Sequence, residues 1–300
     1  MTRSWLRPVA LGLPSLMLLA ACTDTSPRTA TDGSKAETTV SSATVAGAPT
    51  DAGNLPAHVH NIAYDGPALL LGTHEGLWSH MPGEAVSPVS KAAFDVMGFS
   101  QNSDRWLASG HPPPGEESPA NLGLLQSTDR GVTWEPVSLT GEVDFHRLVA
   151  AGDQLFGIAS AENTLLRSDD GGSTWITLGT PPLFDIAVNP ADPDTLIGTT
   201  QDGPVRSTDA GATFAPLTAP SLIALLAWSG EQLVGVDTDG HVLTSTDSGD
   251  TWQGMATLPA QAMALAADDS RIAVLAGDTV YESTDNGATF TERITGIVGH

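Results

Sequence analysis

Along most of the chain, apolar residues alternate with polar ones in short runs, and each run ends in a turn signal. The clearest stretch reads Leu183-Phe-Asp-Ile-Ala-Val-Asn189, then Asp194-Thr-Leu-Ile-Gly-Thr199, then Pro204-Val-Arg-Ser207, then Thr213-Phe-Ala-Pro-Leu217. Between them stand Asn189-Pro190, Asp192-Pro193 and Asp202-Gly203, which favour turns. Period-two alternation of this length predicts half-buried strands. No sustained helical period interrupts it. Four short strands therefore make one unit.

The unit repeats. An octapeptide, Ser-x-Asp-x-Gly-x-Thr-Trp/Phe, marks the turn between its third and fourth strands. It occurs at Ser127–Trp134, Ser168–Trp175, Ser207–Phe214, Ser245–Trp252 and Ser283–Phe290. The serines are spaced by 41, 39, 38 and 38 residues. Four strands in a unit of about 40 residues is a propeller blade. The pattern predicts an all-β, six-bladed β-propeller over residues 57–300, with seven blades as the other count. Octapeptides mark blades two to six. Blade one is degenerate: Leu70–Ser79 aligns with Leu196–Ser207, but His80-Met-Pro-Gly-Glu-Ala follows Ser79. Blade two carries an insertion, His111–Ala120, between its second and third strands. The ten residues after Phe290 are expected to complete the last outer strand and help close the ring.

The octapeptide has the chemistry of a tight turn. The carboxylates of Asp129, Asp170, Asp209, Asp247 and Asp285 accept local backbone N–H groups, and the glycine takes positive φ. Threonine restarts a strand and the aromatic buries itself. The motif resembles the Asp-box (BNR) repeat of sialidases, sortilin-type receptors and photosystem II assembly factors. That resemblance implies a propeller whose boxes lie on the face away from the binding site.

The N-terminus reads differently. Arg3 and Arg7 precede an apolar run, Pro8–Ala20, too short for a comfortable membrane span. Leu19-Ala-Ala-Cys22 follows, and Cys22 is the single cysteine. The segment resembles a bacterial lipoprotein signal peptide, which implies cleavage after residue 21 and lipidation of Cys22. Residues 22–56 are rich in Thr, Ser, Ala, Gly and Asp and hold almost nothing large and apolar. They are expected to form a disordered tether with a reach of roughly 30 Å. The expected location is the extracytoplasmic side of the cell membrane.

Charge narrows the partners. Twelve Lys and Arg stand against 35 Asp and Glu, so little is available to neutralise phosphates, and nucleic acid is not an expected partner.

The candidate chemistry lies in the histidines. In a propeller, loops entering strand one and loops joining strands two and three share the face opposite the octapeptides. His58, His60, His74, His111, His146 and His241 all map to or near that face; His80 and His300 do not. Aligning the starts of the innermost strands gives His60, Asp95, His146 and Asp185 at one position in four consecutive blades, with Ile223 and Met263 in the other two. These side chains are expected to converge on the channel mouth, with His74, His111 and Asp144 beside them. Imidazoles and carboxylates at one point suit a divalent metal, with His60 and His146 as its ligands, or a paired acid and base. No specific metal motif is present and no cofactor is firmly implied. The same groups also suit a water-lined polar channel or a contact surface for a glycan.

The expected function is a membrane-anchored binding or assembly module with a glycan or an envelope protein as partner. The alternative is a glycoside hydrolase, as in the exo-alpha-sialidase-like and glycosylhydrolase-like lipoproteins that the chain resembles. The sialidase pattern fits poorly: no Arg-Ile-Pro motif occurs, the only tyrosines are Tyr64 and Tyr281, and Arg105, Arg147 and Arg271 are a poor arginine triad. A two-carboxylate mechanism would draw on Asp95, Asp144, Asp185, Glu75, Glu116 and Glu142.

Overall fold

The computed structural model describes residues 48–298 apart from 57, 103 and 270. The expected signal peptide 1–21, the lipidation site Cys22 and the tether up to residue 47 lie outside the described residues. The described part belongs to one compact unit.

Six blades, each of four consecutive antiparallel strands, follow one another along the chain and form a β-propeller; the sixth sheet takes a fifth strand from the start of the described chain. Blade one comprises Val59–Asp65, Ala68–Thr73, Gly76–His80 and Ser87–Pro88, and blade two Asp95–Gln101, Trp106–His111, Leu124–Ser127 and Glu135–Ser138. Blade three is Phe145–Ala151, Gln154–Ala159, Thr164–Ser168 and Ile176–Gly179, and blade four Asp185–Val188, Leu196–Thr200, Gly203–Ser207 and Ala215–Pro216. Blade five is Ile223–Ser229, Gln232–Asp237, His241–Ser245 and Gln253–Thr257, and blade six Ala262–Asp268, Arg271–Ala276, Thr279–Ser283 and Thr291–Thr295. The six blades settle the count against seven. First strands of adjacent blades approach one another and line the centre. The apolar core sits between blades: Phe156 and Leu165 of blade three pack with Leu183, Ile186 and Leu196 of blade four.

All five octapeptides fold alike. The serine Oγ donates to the aspartate Oδ1 at 2.7–2.8 Å. The glycine N–H donates to that serine Oγ at 2.7–2.9 Å. The threonine N–H reaches Oδ1 at 2.8–2.9 Å and its hydroxyl reaches Oδ2 at 2.6–2.7 Å. One short side chain thus satisfies the donors of a whole turn. The glycine also sits against the preceding blade. At Gly172 φ is +90°, and an added Cβ would lie 2.2 Å from Leu124 Cδ2 of blade two. The aromatic completes the contact: Trp175 Nε1–H donates to Ser138 Oγ of blade two at 3.0 Å.

These turns make the fold sensitive to acid. The threonine's two donors, then the serine hydroxyl, hold the carboxyls of Asp129, Asp170, Asp247 and Asp285 at about 2, and Asp209 is lowered in the same way. A carboxyl with a lower pKa in the folded state contributes stability above its unfolded value of about 4, and that contribution is lost as pH falls through the folded value. The share of stability that the octapeptides contribute should be intact above about pH 5 and be lost between about 4 and 2, seen as the difference between the parent and a variant with its octapeptide aspartates replaced by Asn. Melting curves across that range check this. An Asp247→Asn variant should melt lower than the parent at pH 7 and lose less on acidification.

The ring closes differently from the sequence expectation. The tether was expected to run to residue 56, yet Thr50–Asp51 forms a parallel pair with Ile294–Thr295, on the outer edge of blade six. Ala52 N–H donates to Thr295 O at 2.7 Å. Ala52 and Leu55 are buried beside Ile294 and Ile297. Composition missed this because two apolar residues in a polar stretch suffice once an open strand edge supplies the hydrogen bonds. The seam between blades six and one carries a buried polar network. Arg293 pairs with Glu282 and donates to Pro67 O at 2.8 Å and His80 O at 3.1 Å. Tyr64 Oη donates to Glu282 at 3.0 Å. Burial, then the nearby Arg293 charge, lowers the His80 pKa to about 4, so a neutral ring accepts the Arg293 Nε–H at 3.2 Å.

Candidate functional site

The channel mouth is built by a recurring irregularity. In five blades the innermost strand skips one pairing step near its start, as a β-bulge. The skipped residues are His60, Met97, His146, Ala224 and Met263. A bulged residue leaves the ladder and re-aims its side chain. His60 and His146 therefore do share a register position, as expected, and Met263 shares it with them. Asp95 and Asp185 do not.

Asp95 precedes the bulge and stands opposite His111 across the strand pair. Its counterpart in blade three is Asp144, just before Phe145, whose backbone O accepts Ser160 N–H at 3.0 Å. This outermost register layer brings the polar candidates together. Asp95 Oδ1 lies 3.2 Å from His60 Nε2. Oδ2 lies 3.0 Å from His74 Nδ1 and 3.3 Å from His111 Nδ1. His111 Nε2 is 3.5 Å from Asp144 Oδ2, which His146 Nε2 meets at 2.9 Å and Ser160 Oγ at 3.2 Å. Seven side chains thus form one chain across blades one to three. Burial would raise the Asp95 carboxyl, but the imidazoles of His60, His74 and His111 outweigh it and hold the group at about 2. His146 meets Asp144 and not Asp95, so the side chains that converge on Asp95 are His60, His74 and His111, and the expected pairing of His60 with His146 is not what the geometry brings together.

Asp185 is the clear departure. Blade four has no bulge, and Asp185 pairs directly with Thr199. Losing one residue of offset turns a side chain to the opposite face. Asp185 therefore points inward and is buried. Its Oδ1 meets Arg147 Nε at 2.9 Å and accepts Ile186 N–H at 2.9 Å, while Oδ2 accepts Leu226 N–H at 2.9 Å. His241 also stands apart. It pairs with Asp237 at 2.8 Å, and Asp237 also accepts two backbone N–H groups. Glu75, Glu116 and Glu142 are exposed.

The sequence reading missed the other half of the mouth. In blades four and five the residues before the innermost strand are Phe184 and Leu222, 62% and 41% exposed. Leu222 occupies the layer that holds Asp95 and Asp144 in blades two and three, its backbone O accepting Thr238 N–H at 3.3 Å, while Phe184 adjoins Asp185 in the unbulged blade four. A signal was present: Leu183-Phe184 and Leu222-Ile223 are adjacent apolar pairs, and both members of such a pair cannot face one core. Phe184 joins His60, Met97, His146 and Arg147 around a cavity of about 230 Å³. The mouth thus has an imidazole–carboxylate side and an apolar side. Trp106 is buried, with its ring 5.7 Å from Phe99. Trp78 packs against the core between blades one and six.

No family model matches the sequence, and no curated protein matches it. Solved structures do. One is YCF48 bound to a D1 peptide, with a TM-score of 0.52 and 14% identity over 79% of this chain and 81% of that one. Another is a chain of a nidogen/laminin complex, with a TM-score of 0.60 and 12% identity over 78% and 97%. The GH74 xyloglucanase from Xanthomonas campestris gives a TM-score of 0.53 and 15% identity over 79% of this chain but 45% of the enzyme. At such identities these likenesses carry the propeller fold alone.

Proposed function

We propose that this chain is an Asp-box propeller lipoprotein, anchored through Cys22 on the outer side of the cell membrane, that binds a segment of an envelope protein at its channel mouth. The reading rests on Phe184 and Leu222. They are large and exposed, and each stands just before the innermost strand of its blade, on the face opposite the octapeptides. Large apolar side chains grouped on one face mark interaction sites. The fold is shared with YCF48 in a complex with a D1 peptide, which agrees with a peptide-binding propeller.

A glycoside hydrolase is the weaker reading. It would need a carboxylic acid facing a second carboxylate across a pocket. Asp95 is surrounded by imidazoles, Asp144 is held by His146 and Ser160, and Asp185 is spent on Arg147 and two amides.

Site-specific photo-crosslinking in the native host tests the binding reading. A photoreactive residue at Phe184 or Leu222 should yield one discrete protein adduct. The same residue at Val132, exposed in an octapeptide turn, should yield none. Equal labelling at all three positions, or no adduct at the mouth, would count against it. The anchor has its own test: Cys22→Ala should move the protein from the membrane fraction to the soluble fraction.

A further inference from the structure

We propose that His60, His74 and Asp95 form a binding site for one late first-row divalent transition-metal ion of the zinc type, at the corner of the mouth between blades one and two. The site belongs to the imidazole side and is independent of the protein-binding reading, which rests on the apolar side.

Geometry carries the proposal. His60 Nε2 and His74 Nδ1 lie 3.4 Å apart. They lie 3.2 and 3.0 Å from the two oxygens of Asp95. A tetrahedral zinc with bonds of about 2.0–2.1 Å has ligand–ligand edges of about 3.3 Å. Whichever Asp95 oxygen ligates, two of the three edges are therefore already close to that length, and the three ligand atoms all lie within 4.8 Å of one another.

A second observation points the same way. Asp95 Oδ1 is buried and accepts no hydrogen bond. His60 Nε2 is near it but is not aligned as a donor. A buried carboxylate oxygen without a donor is costly, and a cation satisfies it. Donor chemistry sets the class of ion. Two imidazoles and one carboxylate suit zinc and its neighbours, whereas calcium and magnesium prefer oxygen alone. The His74 side chain is 47% exposed, which leaves the fourth position open to water. Behind the ligands, His111 Nδ1 approaches Asp95 Oδ2 at 3.3 Å and continues to Asp144. Groups of that kind orient a ligating carboxylate, so His111 is a positioning residue.

The test uses the full chain, purified in detergent without a polyhistidine tag and stripped with a chelator. Calorimetric titration with Zn²⁺ should show one saturable site, and Ca²⁺ should show none. Co²⁺ should give the intense visible absorption of tetrahedral coordination. His74→Ala lies at the surface and leaves packing intact; it should weaken Zn²⁺ at least tenfold, and His60→Ala should do the same. His111→Ala should weaken it by about tenfold. His146→Ala should leave it unchanged. Absence of a saturable site, uptake that survives the His60→Ala, His74→Ala double variant, or loss of uptake with His146→Ala would each overturn the proposal. Photo-crosslinking at Phe184 in the same variants separates the outcomes, since loss of metal alone leaves the protein adduct in place.

Discussion

Replacing Arg147 with alanine is expected to destabilise the fold by about 3–5 kcal/mol at neutral pH, and by clearly less in mild acid. Arg147 Nε meets Asp185 Oδ1 at 2.9 Å, and the Asp185 side chain is 7% exposed. Without the guanidinium, a buried carboxylate is left with two amide donors and no countercharge. Removing one partner of a buried pair costs far more than the pair contributes, because the remaining charge cannot reach water. The pH dependence follows from the direction of the shift. Burial raises the Asp185 pKa, and Arg147 followed by the amides of Leu226 and Ile186 oppose that rise. A carboxyl whose pKa is raised by folding binds its proton more readily in the folded state, so stability falls as pH rises from the unfolded value, about 4, through the folded one. Loss of Arg147 lifts the folded value further and widens that window. The deficit against the parent is therefore largest at pH 7 and shrinks towards about pH 4.5. Urea unfolding of both proteins at the two pH values measures it. An equal deficit at both would show that lost packing, not the stranded charge, is responsible. Arg147→Met combined with Asp185→Asn should recover much of the loss.

Gly110→Ala should cost about 3 kcal/mol or more and should disorganise the imidazole side of the mouth. Gly110 faces Val96 on the innermost strand of blade two. A Cβ there would lie 1.7 Å from the carbonyl oxygen of Asp95 and 3.1 Å from the Met97 nitrogen. These are backbone atoms, so no side-chain rotation relieves the clash. The strand must move, and Asp95 moves with it. Gly254→Ala is the control: its Cβ would meet nothing within 4 Å. That variant should unfold within about 0.5 kcal/mol of the parent. Histidine ring signals followed by NMR should shift for His60, His74 and His111 in Gly110→Ala and stay fixed in Gly254→Ala. Unshifted ring signals in a destabilised Gly110→Ala protein would show that the clash is absorbed away from Asp95.

The architecture could be read from sequence because local and global signals agree. Alternating runs gave strands, the period gave blades, and the octapeptide gave turns whose hydrogen bonds are satisfied within eight residues. The side of the ring was legible too: His60, His74, Asp95, His111, Asp144 and His146 meet on the face opposite the octapeptides. What escaped was anything set by register. A bulge adds one residue to one strand and leaves no mark in composition, so Asp185 aligned with His60 in sequence but turned inward in space. Asp95 was placed at the right mouth for the wrong reason, since it precedes the bulge instead of forming it. Thr50–Leu55 escaped because its partners lie at the other end of the chain. A long-range pairing has no local period to betray it.

The parallel pairing of Thr50–Asp51 with Ile294–Thr295 also sets a timetable. Synthesis delivers the chain from its N-terminus, so the segment that seals the ring emerges first and waits for a partner that emerges last. Blades one to five can form in turn from neighbouring contacts. Blade one nevertheless keeps Tyr64 and the Pro67 and His80 carbonyls without their Glu282 and Arg293 partners until the final strand arrives. Contacts of such sequence separation are slow to form because the loop they close is nearly the whole domain. Sealing is thus expected to be the last event of folding, which hydrogen exchange followed during refolding checks. A chain that stalls before residue 291 is left with a raw seam on which proteases and chaperones act, so the closure serves as a proof of completeness.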